Sequence, residues 1–457
     1  MVNELQQIRD RVVKVEIAPE RERVITARAG HALLQAAARK SRFVSHARRL
    51  LPARRDRSQG FATESVALAL AHGLLSGGRG FSATEPMRGD GPLLRLLGLD
   101  RAPSAETVEE VVKYIADDAG GREAVAPFVV AHARGSLRSV SHRRLRGPGG
   151  FVFTFFDGSL LEVRGKRFEA LKRIKGQWGQ MCVSAWVGPW LVGCDFAGPG
   201  EGEETVGRRL VGEAVEKVLR PEKLIRDTLF VADSLYGDGP TFDELEAVRG
   251  AHHIVGVNNL RRAQTQMEEL PETFWRTAHD PRGGEVTQMW LMCEEWERKR
   301  LMVCRRWQNP GEMIWNHAAV VTNLDPDHPR VAKLMEQSHW GFEETVWRLY
   351  SHKQAMENRW KDLLIDMGLH HPPSARVAVN AVFFNLAAAA YNLSVFAREG
   401  AFRGAPRRMR LWRFRQEVLH LAGRLAHHGR TVTATLLDAR DELVHQLARG
   451  IERLDAL

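Results

Sequence analysis

The pattern of apolar and polar residues divides the chain into three parts. Residues 1–150 follow a helical period, most clearly in Thr63–Leu75, and Ser104 is placed to cap a further helix. From residue 151 short apolar runs alternate with helical segments, which predicts a mixed α/β sheet. Apolar and charged positions return to a 3.6-residue period over 411–457, which predicts a C-terminal helical region, 401–457.

The central part begins with three apolar, strand-like runs in succession. After them a helix, a short strand, a second helix and another strand are predicted. In order, these predicted elements cover 151–156, 181–187, 190–196, 204–219, 229–232, 241–249 and 253–257. Three meandering strands followed by alternating helices and strands are the order of the ribonuclease H-like fold. The sequence therefore predicts an α/β protein with a ribonuclease H-like mixed sheet, flanked by helical regions.

A tryptophan-rich segment interrupts this predicted core. Residues 259–341 hold six of the twelve tryptophans and several strand-like pieces, which predicts a β-rich insertion subdomain. The catalytic core would then comprise 151–258 and 342–400. Most of these indoles are expected in the core of the insertion, with a minority exposed to stack on an extruded base.

Positive charge is concentrated in three runs. The chain has 66 Lys and Arg against 56 Asp and Glu, and residues 1–60 alone hold 14 basic and 6 acidic residues. The other runs lie at 143–175 and 403–415. Candidate DNA-binding residues in the second run are Arg164, Lys166 and Arg167. Such patches supply the salt-dependent part of nucleic-acid affinity, although a single run is as often a solvated helix face. Together they favour double-stranded DNA as a partner, with 1–150 as a DNA-end-binding domain.

Three carboxylates carry the candidate chemistry. Asp157 and Asp233 each follow an apolar strand, and Glu357 lies on a predicted helix. Acidic groups gathered at one place can bind two divalent metal ions, as phosphodiester hydrolysis and transfer require. Mg²⁺ fits because it prefers oxygen ligands, and Mn²⁺ is a possible substitute.

The helix around Glu357 has one polar face. Tyr350, Lys353, Glu357 and Lys361 fall within roughly 80° of one another at 100° per residue. An ordinary exposed amphipathic helix with a Glu/Lys pair four residues apart has the same pattern.

The order of these motifs resembles that of the DDE transposases of bacterial insertion sequences. The resembling branch has a Tyr-x2-Arg-x3-Glu-x6-Lys signature and a β-strand insertion before the catalytic glutamate. The resemblance covers about 150–397. Its motifs are FFDGS, VADSLYG, HHIVGVNNLRRA, YSHKQAMENRWKDLL and AVNAVFFNLAAAAYNL. Two positions depart from the signature, because Lys353 replaces the arginine and Leu364 the final lysine, for which Lys361 is the nearest alternative.

The resemblance implies a catalytic and metal-binding function for Asp157, Asp233 and Glu357, and DNA binding by Tyr350 and Lys353. It also implies that a tryptophan of the insertion stacks on a flipped base during hairpin formation. The candidates are Trp290, Trp296 and Trp307. The expected activity is cleavage of the ends of a mobile element and their joining to target DNA. A ribonuclease H-like nuclease without strand transfer and a catalytically idle DNA-binding protein are the alternatives.

Excision of two ends implies two active sites, and hence a homodimer on DNA. The segment 411–457 is either its interface or a region that packs on its own chain. The four cysteines, Cys182, Cys194, Cys293 and Cys304, have no zinc-like spacing, and no secretory signal is apparent. The apolar segment 377–397 contains three asparagines and is expected to be a buried helix, not a membrane span. We therefore expect a cytoplasmic protein, associated with the nucleoid when bound to DNA.

Overall fold

The structure is a computed structural model of the 457-residue chain. It describes residues 25–53, 60–140, 145–165, 167–257, 260–279, 283–292, 296–403, 409–428, 431–437 and 441–456. Lys166 and Cys293 lie outside these ranges, as does the N-terminal part of the first basic run.

A ten-stranded mixed sheet forms the centre of the protein. Its strands are β2 (Val152–Glu162), β3 (Lys172–Ile174), β4 (Gln177–Val187), β5 (Trp190–Phe196), β6 (Thr228–Ala232), β7 (His252–Gly256), β8 (Arg276–Thr277), β9 (Glu285–Leu291), β10 (Arg300–Trp307) and β11 (Asn316–Thr322). Strands β3, β4, β2, β6, β7, β11, β10, β9 and β8 are neighbours in that order, and β5 pairs with β4.

Five of these strands have the ribonuclease H-like arrangement. Strands β2, β4 and β5 form an antiparallel meander, and β6 and β7 continue the sheet parallel to β2. Their spatial order is third, second, first, fourth and fifth along the chain, which confirms the predicted fold class. The apolar runs form strands because β5 and β6 are buried along their whole length, as expected for strands that are covered on both faces.

The strands of the insertion extend this same sheet. Strand β11 pairs with β7, and β10, β9 and β8 follow it outwards by antiparallel pairing. The β-rich segment between the predicted core parts is therefore continuous with the catalytic sheet. Arg300 of β10 also forms ion pairs with Asp243 and Glu246 of the core.

Helices come before, between and after the strands of the sheet in the sequence. Before the sheet they are α1 (His31–Lys40), α2 (Phe43–Leu50), α3 (Thr63–Leu75), α4 (Gly91–Leu96), α5 (Ala105–Asp118) and α6 (Gly121–Ser139). Within and after it they are α7 (Glu203–Ala214), α8 (Gly239–Ala247), α9 (Leu260–Glu268), α10 (Pro329–Ser338), α11 (Phe342–Ser351), α12 (Lys353–Lys361), α13 (Val377–Ala401), α14 (Leu411–Phe414) and α15 (Asp441–Ala456). Helix α3 has the predicted bounds, and Ser104 caps α5 by accepting a hydrogen bond from the Thr107 N–H.

The three asparagines of α13 bind the core, and two of them bind the edge of the sheet. Asn392 accepts from the N–H of Leu191 and donates to its carbonyl, and Asn385 makes the same pair of contacts with Cys194. Both partners belong to β5, whose outer edge has no neighbouring strand in the described sheet. The buried amides therefore satisfy backbone groups that an edge strand leaves unpaired. Helix α13 is the one described helix long and apolar enough to cross a membrane by length and composition, and it is buried throughout its apolar window.

The C-terminal region is not wholly helical. Residues predicted as helix form strand β12 (Gly423–His428), which pairs with β13 (Thr431–Leu436) and with β1 (Ile25–Thr26) near the N-terminus. Helix α15 packs on its own chain, where the Arg453 guanidinium donates to the carbonyl of Ala401.

Candidate active site

Asp157 lies within β2, just past the part that pairs with β6, and Asp233 directly follows β6. The sequence predicts a strand end at Asp157, but β2 continues to Glu162. Phe155 of β2 is in register with Val231 of β6, and two further residues along each strand lead to Asp157 and Asp233. Neighbouring strands are separated by about 4.8 Å, and residues in register point to the same face. The two carboxylates therefore lie close enough for Asp233 to act on Asp157 electrostatically.

The ammonium group of Lys353 lies against this acidic pair. Its Nζ is 3.0 Å from Oδ2 of Asp233. The other oxygen, Oδ1, accepts a hydrogen bond of 2.7 Å from the N–H of Ser234. Burial alone would raise the pKa of Asp233, but Lys353 and Ser234 outweigh it and hold that pKa below its usual value.

The pKa of Asp157 is shifted in the opposite direction to that of Asp233. Burial, together with the negative charges of Asp233 and Glu203, raises the pKa of Asp157 to about 7, although Lys353 acts in the opposite direction. A carboxylate in this position lacks full compensation for its charge, so a cation bound beside it would be strongly favoured.

Glu357 lies on a separate helix, α12, and is exposed. The predicted helix is interrupted at His352, so that Tyr350 lies in the last turn of α11 and Lys353 begins α12. The carboxylate of Glu357 is exposed and accepts a 2.7 Å hydrogen bond from Gln354. Lys361 is also exposed, at the end of α12.

Tyr350 connects the two parts of the site. Its phenol is largely buried, and burial together with Asp233, Asp157 and Glu357 raises the pKa of Tyr350. The site therefore unites Asp157, Asp233, Tyr350 and Lys353, with Glu357 at its rim.

The donors present are chemically suited to a divalent metal ion. They are carboxylate oxygens, and the Lys353 ammonium already supplies a positive charge at Asp233. As the side chains stand, no three acidic, histidine or cysteine residues of the described chain are close enough to hold one ion. Binding of an ion would therefore require the carboxylates to leave their present positions.

Sequence reasoning missed one acidic residue of this site, Glu203. It begins α7, and Oε1 accepts a 2.9 Å hydrogen bond from the phenol of Tyr236. Burial, and the negative charges of Asp233 and Glu204, raise the pKa of Glu203, although hydrogen bonds from Tyr236 and Gly158 oppose them. The sequence offers one signal, a glutamate directly before the predicted helix 204–219.

The three candidate tryptophans differ in exposure. Trp290 on β9 is 66% exposed, Trp307 at the end of β10 is partly buried, and Trp296 is 3% exposed. The indole of Trp296 packs against Phe242 and beneath the guanidinium of Arg300. It is not available to stack on a base, so the prediction for Trp296 is corrected.

Strand pairing places Trp290 on the same face as the aspartates. The paired residues across the sheet are Val231 with Ile254, Ile254 with Thr322, Thr322 with Leu301, and Leu301 with Trp290. Val231 lies two residues before Asp233, so it shares its face. Four strand spacings separate Trp290 from β6, which is about 19 Å and close to the width of a DNA duplex.

The basic runs have different environments. Arg164 and Arg167 are exposed beside the β3–β4 hairpin, as are Arg173, Lys175 and Trp178 within it. In the third run, by contrast, Arg410 binds Asp362 and Asp366, and Arg415 donates to the carbonyl of Leu75. These two arginines cross-link the chain, whereas Arg403 and Arg413 of the same run are exposed and Arg407 and Arg408 lie outside the described residues.

Comparison with known proteins gave a family match and a structural match. A family model described as transposase DDE domain group 1 matches residues 203–456, more than half of the chain. Among solved structures, the chain is similar to a piggyBac transposase in a synaptic complex with hairpin DNA. The identity is 12%, the alignment covers 83% of this chain and 77% of that chain, and the TM-score is 0.38. No curated protein matched.

Proposed function

Since the chain belongs to the group 1 family of DDE transposase domains, we propose that it cuts the ends of an insertion sequence and joins them to target DNA. The observation that carries this proposal is the closeness of Asp157, on β2, to Asp233, directly after the neighbouring parallel strand β6. The order of Tyr350, Lys353 and Glu357 supports the insertion-sequence branch of the family.

Asp157, Asp233 and Glu357 are the proposed ligands of the divalent metal ions, Mg²⁺ or Mn²⁺. When bound, such ions activate a water or hydroxyl nucleophile and stabilise the leaving oxygen at a phosphodiester. The two aspartates supply rigid oxygens because β2 and β6 fix their backbones. Glu357 is carried by α12, so its approach depends on the position of that helix.

Lys353 and Tyr350 are proposed to orient the DNA at the site. Lys353 compensates the charge of Asp233, and a metal ion there would release its ammonium to bind a phosphate of the cleaved strand. Tyr350 has a buried ring and a phenol near the aspartates, so it is suited to donate a hydrogen bond while remaining uncharged.

The β3–β4 hairpin supplies a proposed DNA-binding surface. It continues beyond the carboxyl end of β2, and its neighbours Arg164 and Arg167 are exposed. Arg173 lies 6.0 Å from the ring centroid of Trp178, which is 51% exposed. Positive side chains with an exposed aromatic ring suit a sugar–phosphate backbone and a stacked base.

Trp290 is the proposed stacking residue for a flipped base. It combines exposure with a position on the face that carries the aspartates. A homodimer on DNA remains part of the proposal because two ends must be processed, and the contacts of α15 with its own chain favour a surface other than α15.

A strand-transfer assay tests the proposal. The full-length protein is incubated with Mg²⁺, a target plasmid and DNA carrying the inverted repeats that flank its gene. We expect nicked ends and joined products with the wild-type protein, and neither with Asp157→Asn or Asp233→Asn. Exposed Asp325→Asn is the control and should retain activity. Nicks without joined products would support a nuclease instead, and full activity of Asp233→Asn would refute the proposed site.

A further inference from the structure

Glu203 is packed directly against the backbone that follows Asp157. A Cβ atom at Gly158 would lie 2.4 Å from both Cδ and Oε1 of Glu203. Real Cβ atoms do not approach other atoms so closely, so glycine at 158 is what allows the glutamate to reach the strand. The contact brings a carboxylate from α7 next to the first aspartate, although 46 positions separate residues 157 and 203 in the sequence.

A buried tyrosine fixes the orientation of that carboxylate. Tyr236 is fully buried, and its phenol donates to Oε1 of Glu203 over 2.9 Å. The ring packs edge-on against Phe156, with centroids 4.8 Å apart, and a Cβ at Gly207 would lie 2.4 Å from its Cε1. Phe156 precedes Asp157 and Tyr236 follows Asp233 by three residues, so the segments that carry the two aspartates also hold Glu203 in place.

The charges of this group do not balance. Asp157, Asp233 and Glu203 together carry three negative charges when ionised. Within the described part of the chain, Lys353 is the cation that acts most strongly on the two aspartates. An excess of two negative charges in a partly buried place is costly for the protein alone, and a divalent cation would neutralise it.

We propose that Glu203 is a fourth acidic residue of the active site, which binds the divalent metal ions together with Asp157 and Asp233. This inference rests on the proposed transposase function and adds to its metal-binding residues. Tyr236 is a positioning residue in this arrangement, because it acts through the carboxylate of Glu203. A purely structural Glu203 would affect folding but not metal affinity, which gives the two functions different measurable consequences.

Mn²⁺ binding to the full-length protein, measured from the electron paramagnetic resonance signal of the free ion, tests this proposal without DNA or catalysis. We expect Glu203→Gln to weaken Mn²⁺ binding by about tenfold or more, as the loss of residues that bind or support a metal does. Glu203→Asp, which keeps the charge but withdraws the oxygens, and Tyr236→Phe should each weaken it several-fold. The control is Glu204→Gln, the next residue of the same helical turn, and its affinity should stay within twofold of wild type.

Asp157→Asn separates this inference from the proposed function. If Asp157→Asn binds Mn²⁺ like the wild type, the proposed metal site itself is refuted. If Asp157→Asn loses binding while Glu203→Gln keeps it, only the role of Glu203 is refuted. The metal-binding role of Glu203 is also refuted if Glu203→Gln has a lower melting temperature in EDTA but an unchanged Mn²⁺ affinity. This combination is the result expected of a purely structural residue. Should Glu203→Gln fail to fold, wild-type affinity in both Glu203→Asp and Tyr236→Phe refutes the proposal.

Discussion

Lys353 and Asp233 form an ion pair of 3.0 Å at the centre of the acidic group. Asp233 is 46% exposed, so the pair itself is expected to stabilise the fold by at most about 1 kcal/mol. Its greater importance is that the ammonium stands beside the carboxylates where a divalent cation would also be attracted. Lys353 and a metal ion therefore compensate the same negative charges.

Lys353→Met is predicted to make the stability of the protein more dependent on metal. Without the ammonium, repulsion between Asp157 and Asp233 is less compensated, so the melting temperature in EDTA should fall. Millimolar Mn²⁺ should restore most of the loss, because the ion supplies the missing charge. Thermal unfolding with and without Mn²⁺ measures both effects. An equal decrease of the melting temperature with and without Mn²⁺ would contradict the idea that Lys353 and the metal ion compensate the same charges. Lys361→Met, at the exposed end of α12, is the control.

Asp157→Asn is predicted to stabilise the metal-free protein at neutral and alkaline pH. The pKa of Asp157 is raised from 3.8 to about 7, so the native state holds a proton that the unfolded chain releases between these values. Stability of the wild type should therefore decrease as pH rises from about 4 to about 7. Asparagine cannot ionise, so it removes the cost in folding free energy of the buried Asp157 charge. That cost is about 2–4 kcal/mol above pH 7 and vanishes near pH 4.

Urea unfolding in EDTA at pH 4.5 and pH 8 measures this difference. Asp325→Asn provides the control, because Asp325 is an exposed carboxylate of the loop after β11. If Asp157→Asn is less stable than the wild type at pH 8, the negative charge of Asp157 is already well compensated in the metal-free protein.

Much of this site could be predicted from the sequence because its main parts are local. Asp157 and Asp233 directly follow apolar runs, so each carboxylate and the apolar residues of its strand are visible together, although β2 continues past Asp157. Glu203 could not be found in this way, since its importance comes from contact with Gly158 and Tyr236 across the fold. The break at His352 involves neither glycine nor proline and leaves no local signal.

The C-terminal hairpin was missed for a different reason. The residues Thr431–Leu436 alternate β-branched threonines with apolar residues, which is a strand pattern. The helical period of the surrounding residues hid it, and pairing of β12 with β1 depends on a contact between the two ends of the chain.

Trp290→Ala is predicted to impair processing of the DNA ends without affecting the fold. An indole that is 66% exposed contributes little to the core, whereas stacking on a base contributes about 1–3 kcal/mol. Hairpin or joined products should fall by about tenfold or more, and Trp290→Phe should retain part of the activity because it keeps an aromatic face. Fluorescence of 2-aminopurine at the cleavage site measures the base extrusion itself. Unchanged extrusion in Trp290→Ala would exclude this residue as the stacking partner.

Removal of charge near the β3–β4 hairpin is predicted to weaken DNA binding in a salt-dependent manner. The triple change Arg164→Ala, Arg167→Ala and Arg173→Ala deletes three exposed cations. If all three bind phosphates, the slope of log affinity against log salt should become shallower by about 3 on duplex DNA. Fluorescence anisotropy at salt concentrations from about 50 to about 200 mM, over which phosphate contacts lose most of their affinity, gives that slope. An unchanged slope would show that the DNA lies elsewhere. A matched triple change on exposed Arg220, Arg226 and Arg249, which lie outside the three basic runs, is the control.

Arg410 is predicted to stabilise the fold and to contribute nothing to DNA affinity. Its guanidinium donates to Asp362 over 2.6 Å and to Asp366 over 3.0 Å, and the side chains of these aspartates are 8% and 4% exposed. Arg410→Ala would leave two buried carboxylates with less compensation, at a cost of about 3 kcal/mol. Urea unfolding measures this cost, and exposed Arg403→Ala is the matched control from the same basic run. At about 15 °C, where protein stability is typically greatest, the DNA affinity of Arg410→Ala should equal that of the wild type. Wild-type stability combined with a shallower salt dependence would instead show that Arg410 faces DNA and that its ion pairs are dispensable.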